Sequence, residues 1–299
     1  MLKHVFEANA ALPAAVVIPP GDDMALVELA DHRLLVAVDQ VVDGRHFQLA
    51  STPIELIGRK AITRSLSDIA AMAGVPVATL VAATLPPNFG ESRAAALFDA
   101  MRRTCEQYRC PLVGGDIAFH VQPSQPLVCS VTVLATPSGD RAIERSGAKP
   151  GDIVAVTGAL GGSLEPSGLG RHLTFDPRID LAQRLAAEYG HRLHAMIDIS
   201  DGLGRDASHI AQLSNVQIVL DAQRIPCNVG CDWRRAMSDG EDYELCFIVQ
   251  APFIDRVQGM PMQAAGEVRA RTSDSDAWVV VRDGQQLISA DELGWQHQS

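Results

Sequence analysis

A mixed α/β fold in two domains is what this chain predicts, and three observations carry the expectation. Apolar strand-like runs alternate with amphipathic helical stretches through both halves. Hairpin signals are frequent as well, which argues for α+β mixed sheets rather than a doubly wound parallel sheet. The length of 299 residues fits about two domains, and Pro137-Ser138-Gly139-Asp140 supplies a turn-rich boundary between 1–137 and 138–299.

Residues 1–20 read as an arm leading into the turn Gly21-Asp22-Asp23. Met24–Leu29 and Leu34–Val38 alternate as strands joined through Asp31-His32-Arg33, with Asp39 where the second strand ends. Thr52-Pro53-Ile54-Glu55 combines a capping Thr, Pro at the first helical position and Glu in the capping-box position, so a helix runs from there towards Gly74, with a break near Ser65. Within it, Leu66, Ile69, Ala70 and Ala73 recur at helical spacing and hold Asp68 beside an inward face. Val77–Thr84 is a buried strand stopped by Pro86-Pro87, and Glu91–Tyr108 is an amphipathic helix. Pro111–Val113 is a short strand delivering Gly114-Gly115-Asp116, and Leu127–Ala135 is another strand.

In the second half, Arg145–Asp152 is a polar loop and Ile153–Thr157 a strand opening into Gly158–Ser163. Leu164–Asp176 reads as a mobile loop, Arg178–Gly190 as a helix and Ala195–Ile199 as a strand. Ser200-Asp201 begins a helix through Leu213. Strands follow at Val216–Leu220, Tyr243–Val249 and Trp278–Arg282, and residues 287–299 form a tail.

The totals exclude several classes. A net charge of -11 gives no electrostatic support to nucleic-acid binding. An acidic protein that holds polyphosphate needs a divalent metal between the two negative partners. The six Cys show no zinc spacing and read as reduced thiols. The longest apolar run, Val75–Leu85, is shorter than the about 20 residues that span a bilayer. With no basic leader in Met1–Pro20, the chain reads as cytoplasmic.

No Walker A loop, Rossmann glycine fingerprint or nucleophile elbow occurs. What remains is acids and glycines at strand ends and helix starts. A carboxylate packed among small residues, as Asp68 is, is costly unless paired or bound to a cation. Asp22, Asp23, Asp39, Asp116, Asp198 and Asp201 are available to share that cation. Gly114 and Gly115 let backbone approach a phosphate while Asp116 takes a metal. Asp198 and Asp201 flank a helix N-terminus around Ser200, a place that favours anions. Arg145 and Lys149 are the cations suited to polyphosphate. Glu241, Asp242 and Glu244 cluster at a strand start, His46 lies beside Phe47, and Trp295 is placed to stack on a ring or to plug the core. Taken singly, each also reads as an ordinary turn, cap or surface charge.

Taken together and in order, the residues resemble thiamine-monophosphate kinase, within the aminoimidazole ribonucleotide synthetase-like superfamily. The likeness spans nearly the whole chain. It rests on Gly21-Asp22-Asp23, Asp39 through Gly44-Arg45-His46-Phe47, Leu66–Met72, Val113–Asp116, Arg145–Asp152, Met196–Leu203, Gly240–Leu245 and Gly294-Trp295-Gln296-His297. The resemblance implies two α/β domains, a homodimer built through the N-terminal sheets, and ATP-dependent phosphorylation of thiamine monophosphate to thiamine diphosphate. It implies Asp22, Asp39, Asp68, Asp116, Asp198 and Asp201 as magnesium ligands. Gly114, Gly115, Arg145 and Ser200 become ATP contacts, His46, Glu241 and Trp295 contacts to thiamine monophosphate, and Asp68, Asp116 and Arg145 the groups at the transferring phosphate. The chain departs from the family pattern at Ala37, Val38, Gln40 and Ile117, where hydroxyls are usual, at Phe98 for a Tyr and at Ser65 for an Asn.

Overall fold

The computed structural model describes residues 9–257 and 259–295. Residues 1–8 of the expected arm, and Gln296 and His297 of the terminal motif, lie outside them. Two compact units are interleaved in sequence. Among the described residues, the first holds those up to Ile69, then Gly74–Pro137 and Glu165–Pro177; the second holds Ala70–Ala73, Ser138–Leu164 and the residues from Arg178 onward. A single cut at 137 therefore leaves out Glu165–Pro177, which packs with the first unit.

The first unit is built on a six-stranded sheet. Its strands are β1 (Val16–Ile18), β2 (Ala25–Leu29), β3 (His32–Val42), β4 (Gly74–Leu85), β5 (Leu112–Phe119) and β6 (Val128–Pro137), in the order β1-β2-β3-β6-β4-β5. β5 runs parallel to β4 and the other neighbours are antiparallel. Period-two alternation sets the faces. Cys129, Val131, Val133 and Ala135 of β6 are buried, as are Leu35 and Val41 of β3.

Helices α1 (Ile54–Ala71) and α2 (Glu91–Gln107) belong with this sheet. Ile57, Ala61, Ile62, Leu66 and Ile69 of α1 are fully buried, so it is apolar around most of its circumference. It meets α2 at Gly58, where a Cβ would fall 2.7 Å from the Leu97 carbonyl oxygen. The expected break at Ser65 is absent, because the Ser65 hydroxyl donates to the Val131 carbonyl at 3.4 Å and the buried polar group is satisfied within an unbroken helix. The other face of the sheet leaves Val38, Val75, Val77 and Leu80 exposed, and edge strand β5 adds Val113, Ile117 and Phe119.

The second unit has an eight-stranded sheet of β7 (Ile153–Thr157), β8 (Leu193–Asp198), β9 (Val216–Asp221), β10 (Leu245–Val249), β11 (Arg256–Val257), β12 (Met260–Ala270), β13 (Val279–Asp283) and β14 (Gln286–Ser289). The order is β14-β13-β9-β12-β7-β10-β8, with β11 paired to β12. Every residue of β10 is buried, the continuous apolar run of a central strand. Helices α3 (Ile179–Tyr189), α4 (Leu203–Ser214) and α5 (Trp233–Ser238) complete the unit. Ile197, Ile199, Leu203, Ile210, Ile218 and Val281 form the centre of its core. Asn215 ends α4 in the left-handed conformation, and the Asp232 carboxylate caps α5 by accepting from the Arg235 amide. Strand β14 replaces part of the expected tail.

Candidate active site

In the first unit, adjacent acids at the Gly21 turn have different fates. The Asp22 carboxylate accepts the Asp23 amide at 3.0 Å. Asp23 itself is 9% exposed, and its carboxylate comes within 4.8 Å of an Asp68 carboxylate oxygen. The structure thus brings Asp23 to Asp68. Residue type and position in the motif give no signal between the two neighbours.

Asp39 sits within β3, three residues before the strand ends, and not at its terminus as expected. Its Oδ2 accepts from Arg64 Nε at 3.0 Å. Arg64 lies one turn before Asp68 on α1, so a single helix stripe carries a cation for Asp39 and the carboxylate facing Asp23. Gly114-Gly115-Asp116 is mid-strand in β5, not a turn. Gly115 is required there: a Cβ would meet the Val81 carbonyl oxygen at 1.9 Å. Asp116 is exposed and pairs in register with Ala82. Strand order puts β5 three spacings from β3, so the Asp39 and Asp116 backbones are about 14 Å apart. The His46 imidazole Nδ1 accepts the Val42 amide at 2.9 Å, which leaves Nε2 as the hydrogen-bearing nitrogen of the neutral ring.

In the second unit, backbone bonds gather predicted residues from three segments. The Glu241 amide donates to the Ser200 carbonyl at 2.7 Å, and the Trp295 amide to the Asp201 carbonyl at 2.8 Å. The Tyr243 amide donates to the Ile199 carbonyl at 2.8 Å, and the Ile199 amide to the Glu244 carbonyl at 2.7 Å. Ser200, Asp201, Glu241 and Trp295 therefore surround the end of β8, where Asp198 is buried. Glu241 and Tyr243 both adopt left-handed backbone, at φ 54° and 52°. Such strain persists only where the surroundings enforce it. The enforcement comes from two buried carboxylates. Asp242 accepts from the Gly161 amide and the Ser163 hydroxyl, and Glu244 accepts from Thr157 and Arg178. These acids are internal struts, not solvated strand-edge charges.

Ser200 and Asp201 do not cap α4, whose N-cap position is Gly202 with no side-chain cap. The Asp206 carboxylate instead reaches back and accepts both their amides at 3.0 Å. Burial, with the Asp201 and Asp198 charges adding, pushes the Asp206 carboxyl well above its ordinary range. Arg145 is close enough to oppose that shift, and it helps burial push His209 down to about 4. Its loop is anchored on both sides: the Glu144 carbonyl accepts the Met196 amide at 3.0 Å, and Ser214 Oγ accepts the Gly147 and Ala148 amides at 3.1 Å.

The chain is also similar to known proteins. Residues 21–136 match the family model "AIR synthase related protein, N-terminal domain". A thiamine-monophosphate kinase of Rhodopirellula baltica is 32% identical over 279 residues, 86% of this chain and 85% of that protein. The chain belongs to the thiamine-monophosphate kinase family. Another family member, from Mycobacterium tuberculosis, is 33% identical over 307 residues, covering 94% of this chain and 89% of its own length. The solved structure of AaThiL complexed with AMPPCP and TMP superposes with a TM-score of 0.78 at 29% identity, covering 98% of this chain and 95% of that one. The two mixed sheets are thus the thiamine-monophosphate kinase fold. In this family member Asp23 was among the acids the sequence offered to Asp68, though the family resemblance pointed to Asp22; Asp206, the support beneath Ser200 and Asp201, was missed. The Asp206 signal was present: an acid five residues past Asp201, on the first turn of a helix that otherwise lacks a side-chain cap.

Proposed function

We propose that this protein transfers the γ-phosphoryl group of ATP directly to the phosphate of thiamine monophosphate, giving thiamine diphosphate and ADP. The observation that carries the reading is the convergence of Ser200, Asp201, Glu241 and Trp295 at the end of β8, in a family member related to AaThiL complexed with AMPPCP and TMP. Phosphoryl transfer needs positioning and charge neutralisation more than covalent chemistry. The acceptor is a phosphate oxygen already ionised at neutral pH, so no general base is required.

Carboxylate oxygens are the donors magnesium takes, and the Asp23–Asp68 pair fits that preference. We assign Asp23 and Asp68, with Asp39, Asp116, Asp198 and Asp201, as the magnesium ligands; Asp22, turned onto the Asp23 amide, is the weakest candidate of the set. Bound magnesium would offset the repulsion between the two phosphates and align them. Arg145, on its anchored loop, neutralises charge on the transferring group. Gly114, Gly115 and Ser200 line the nucleotide. His46 presents Nε2–H to the acceptor, Glu241 pairs with its cationic part, and Trp295 stacks on an aromatic ring.

Asp39 and Asp116 of one chain are too far apart to share an ion. The exposed apolar face of the first sheet, Val38, Val75, Val77 and Leu80 with the β5 edge, supports a homodimer in which a second copy covers that face and brings its own β5 edge to it. The described cysteines are all free, which fits a cytoplasmic setting. No described helix is long and apolar enough to cross a membrane, and the net charge of -11 disfavours nucleic acid as a partner.

Incubation with ATP, magnesium chloride and thiamine monophosphate, followed by chromatography, tests the reading. Thiamine diphosphate and ADP should appear in equal amounts. ADP without thiamine diphosphate, or neither product, rejects it.

A further inference from the structure

We infer that Arg59 and Lys60, side by side on α1, form a two-point clamp on the segment Glu165–Pro177 and make that segment the wall of the acceptor subsite. Arg59, Lys60 and His172 are then positioning residues for thiamine monophosphate. The inference rests on the reading of His46 as an acceptor contact.

Lys60 is fully buried. Its Nζ lies 2.7 Å from the His46 carbonyl oxygen and 2.6 Å from His172 Nδ1. An ammonium group only donates, so Nδ1 of His172 accepts and its ring hydrogen sits on Nε2. That nitrogen is 3.3 Å from the Gly168 carbonyl oxygen, an acceptor, so one proton arrangement satisfies the whole chain of contacts. Lys60 therefore ties the backbone of His46 to a buried histidine that lies 112 residues beyond the lysine in the chain. The neighbouring Arg59 grips the far end of the segment, donating to the Phe175 carbonyl and to Asp176 Oδ1 at 2.7 Å each. The Tyr108 hydroxyl donates to the same Asp176 carboxylate. Ahead of both grips, Gly168 lies against Gln48, two residues past His46, at a spacing where a Cβ would touch Gln48 Cγ at 3.8 Å.

A buried ammonium is an expensive way to fill space, since a similar apolar chain commonly serves as well or better. What Lys60 adds is direction. Its charge-assisted bond fixes the carbonyl of the residue whose side chain faces the acceptor, and its bond to His172 fixes the wall beside that residue. These clamp contacts run to His46 and to the segment itself, so their effect falls on the acceptor.

Steady-state kinetics on Lys60→Met, His172→Gln and Asp176→Ala test this. In Lys60→Met, KM for thiamine monophosphate should rise about tenfold or more while KM for ATP stays within about twofold. Asp176→Ala, altered at an exposed carboxylate, should shift the same KM about threefold and carries the test if Lys60→Met does not fold. His172→Gln, which offers Lys60 an acceptor and Gly168 a donor, should stay within about threefold of wild type. An unsplit rise in both KM values, or wild-type KM values in folded Lys60→Met and Asp176→Ala, overturns the clamp. Wild-type protein that makes no thiamine diphosphate at all refutes the kinase reading instead.

Discussion

Replacing Asp68 by Asn should remove function and the response to magnesium while leaving the protein folded. Two carboxylate oxygens, on Asp23 and Asp68, lie within 4.8 Å of one another. At an effective dielectric of about 20, two unit charges at that separation repel by about 3.5 kcal/mol. Asp68 is only half-buried, so solvent screening reduces the repulsion to roughly 1 kcal/mol. The amide keeps the shape of the acid and removes one charge. In EDTA the variant is relieved of that repulsion and should stay folded, with a melt within a few degrees of wild type. Magnesium at a hundred times its dissociation constant should stabilise wild type by about 2.7 kcal/mol and the variant by much less. Turnover should fall by about three orders of magnitude or more, as expected when a charge-neutralising ligand of a phosphoryl-transfer site is lost. Thermal melts with and without magnesium, beside a turnover assay, measure all three. A folded variant that responds to magnesium as wild type does and keeps wild-type turnover would refute the assignment.

Gly115→Ala should destabilise the protein by about 3 kcal/mol in urea unfolding, since its Cβ cannot coexist with the Val81 carbonyl. Gly114→Ala, whose Cβ would meet nothing nearer than Leu80 Cδ2 at 3.8 Å, should change stability by less than about 1 kcal/mol, and equal effects would contradict the strand geometry. His209, held down to about 4 from an ordinary 6.5, gives a pH signature. The unfolded chain takes up its proton first as pH falls, so this stabilisation is present above 6.5 and is lost towards 4, a change of roughly 3 kcal/mol. Melts of His209→Gln across that range should therefore show a flatter pH dependence than wild type. Asp242→Ala should cost about 3 kcal/mol in urea unfolding, because it strands the Gly161 amide and the Ser163 hydroxyl in the interior.

Much of the fold was legible because its strands alternate and its longest helix opens with a strong start signal. The central strand β10, Leu245–Val249, and the helix around Asp68 both follow from apolar pattern alone. The carboxylate set was legible only as an ordered ensemble, since no single turn distinguishes itself from a bland one. What failed is decided by distant partners. Gly114-Gly115-Asp116 reads locally as a turn, yet pairing with β4 draws it into a strand. Asp242 and Glu244 read as solvated until Gly161, Ser163, Thr157 and Arg178 arrive from elsewhere in the chain. The choice between Asp22 and Asp23 depends on which carboxylate the backbone turns inward. Leu164–Asp176 looks like a free loop because nothing local shows that Arg59 and Lys60 hold it.

The dependence of nucleotide binding on a divalent cation bears most directly on the account, because carboxylates hold a triphosphate only with a cation between them. Calorimetric titration of AMPPCP into the full chain, once with magnesium chloride and once with EDTA, reads it. Affinity should fall by about a hundredfold or more when the cation is withdrawn. Equal affinity in the two buffers would contradict the account.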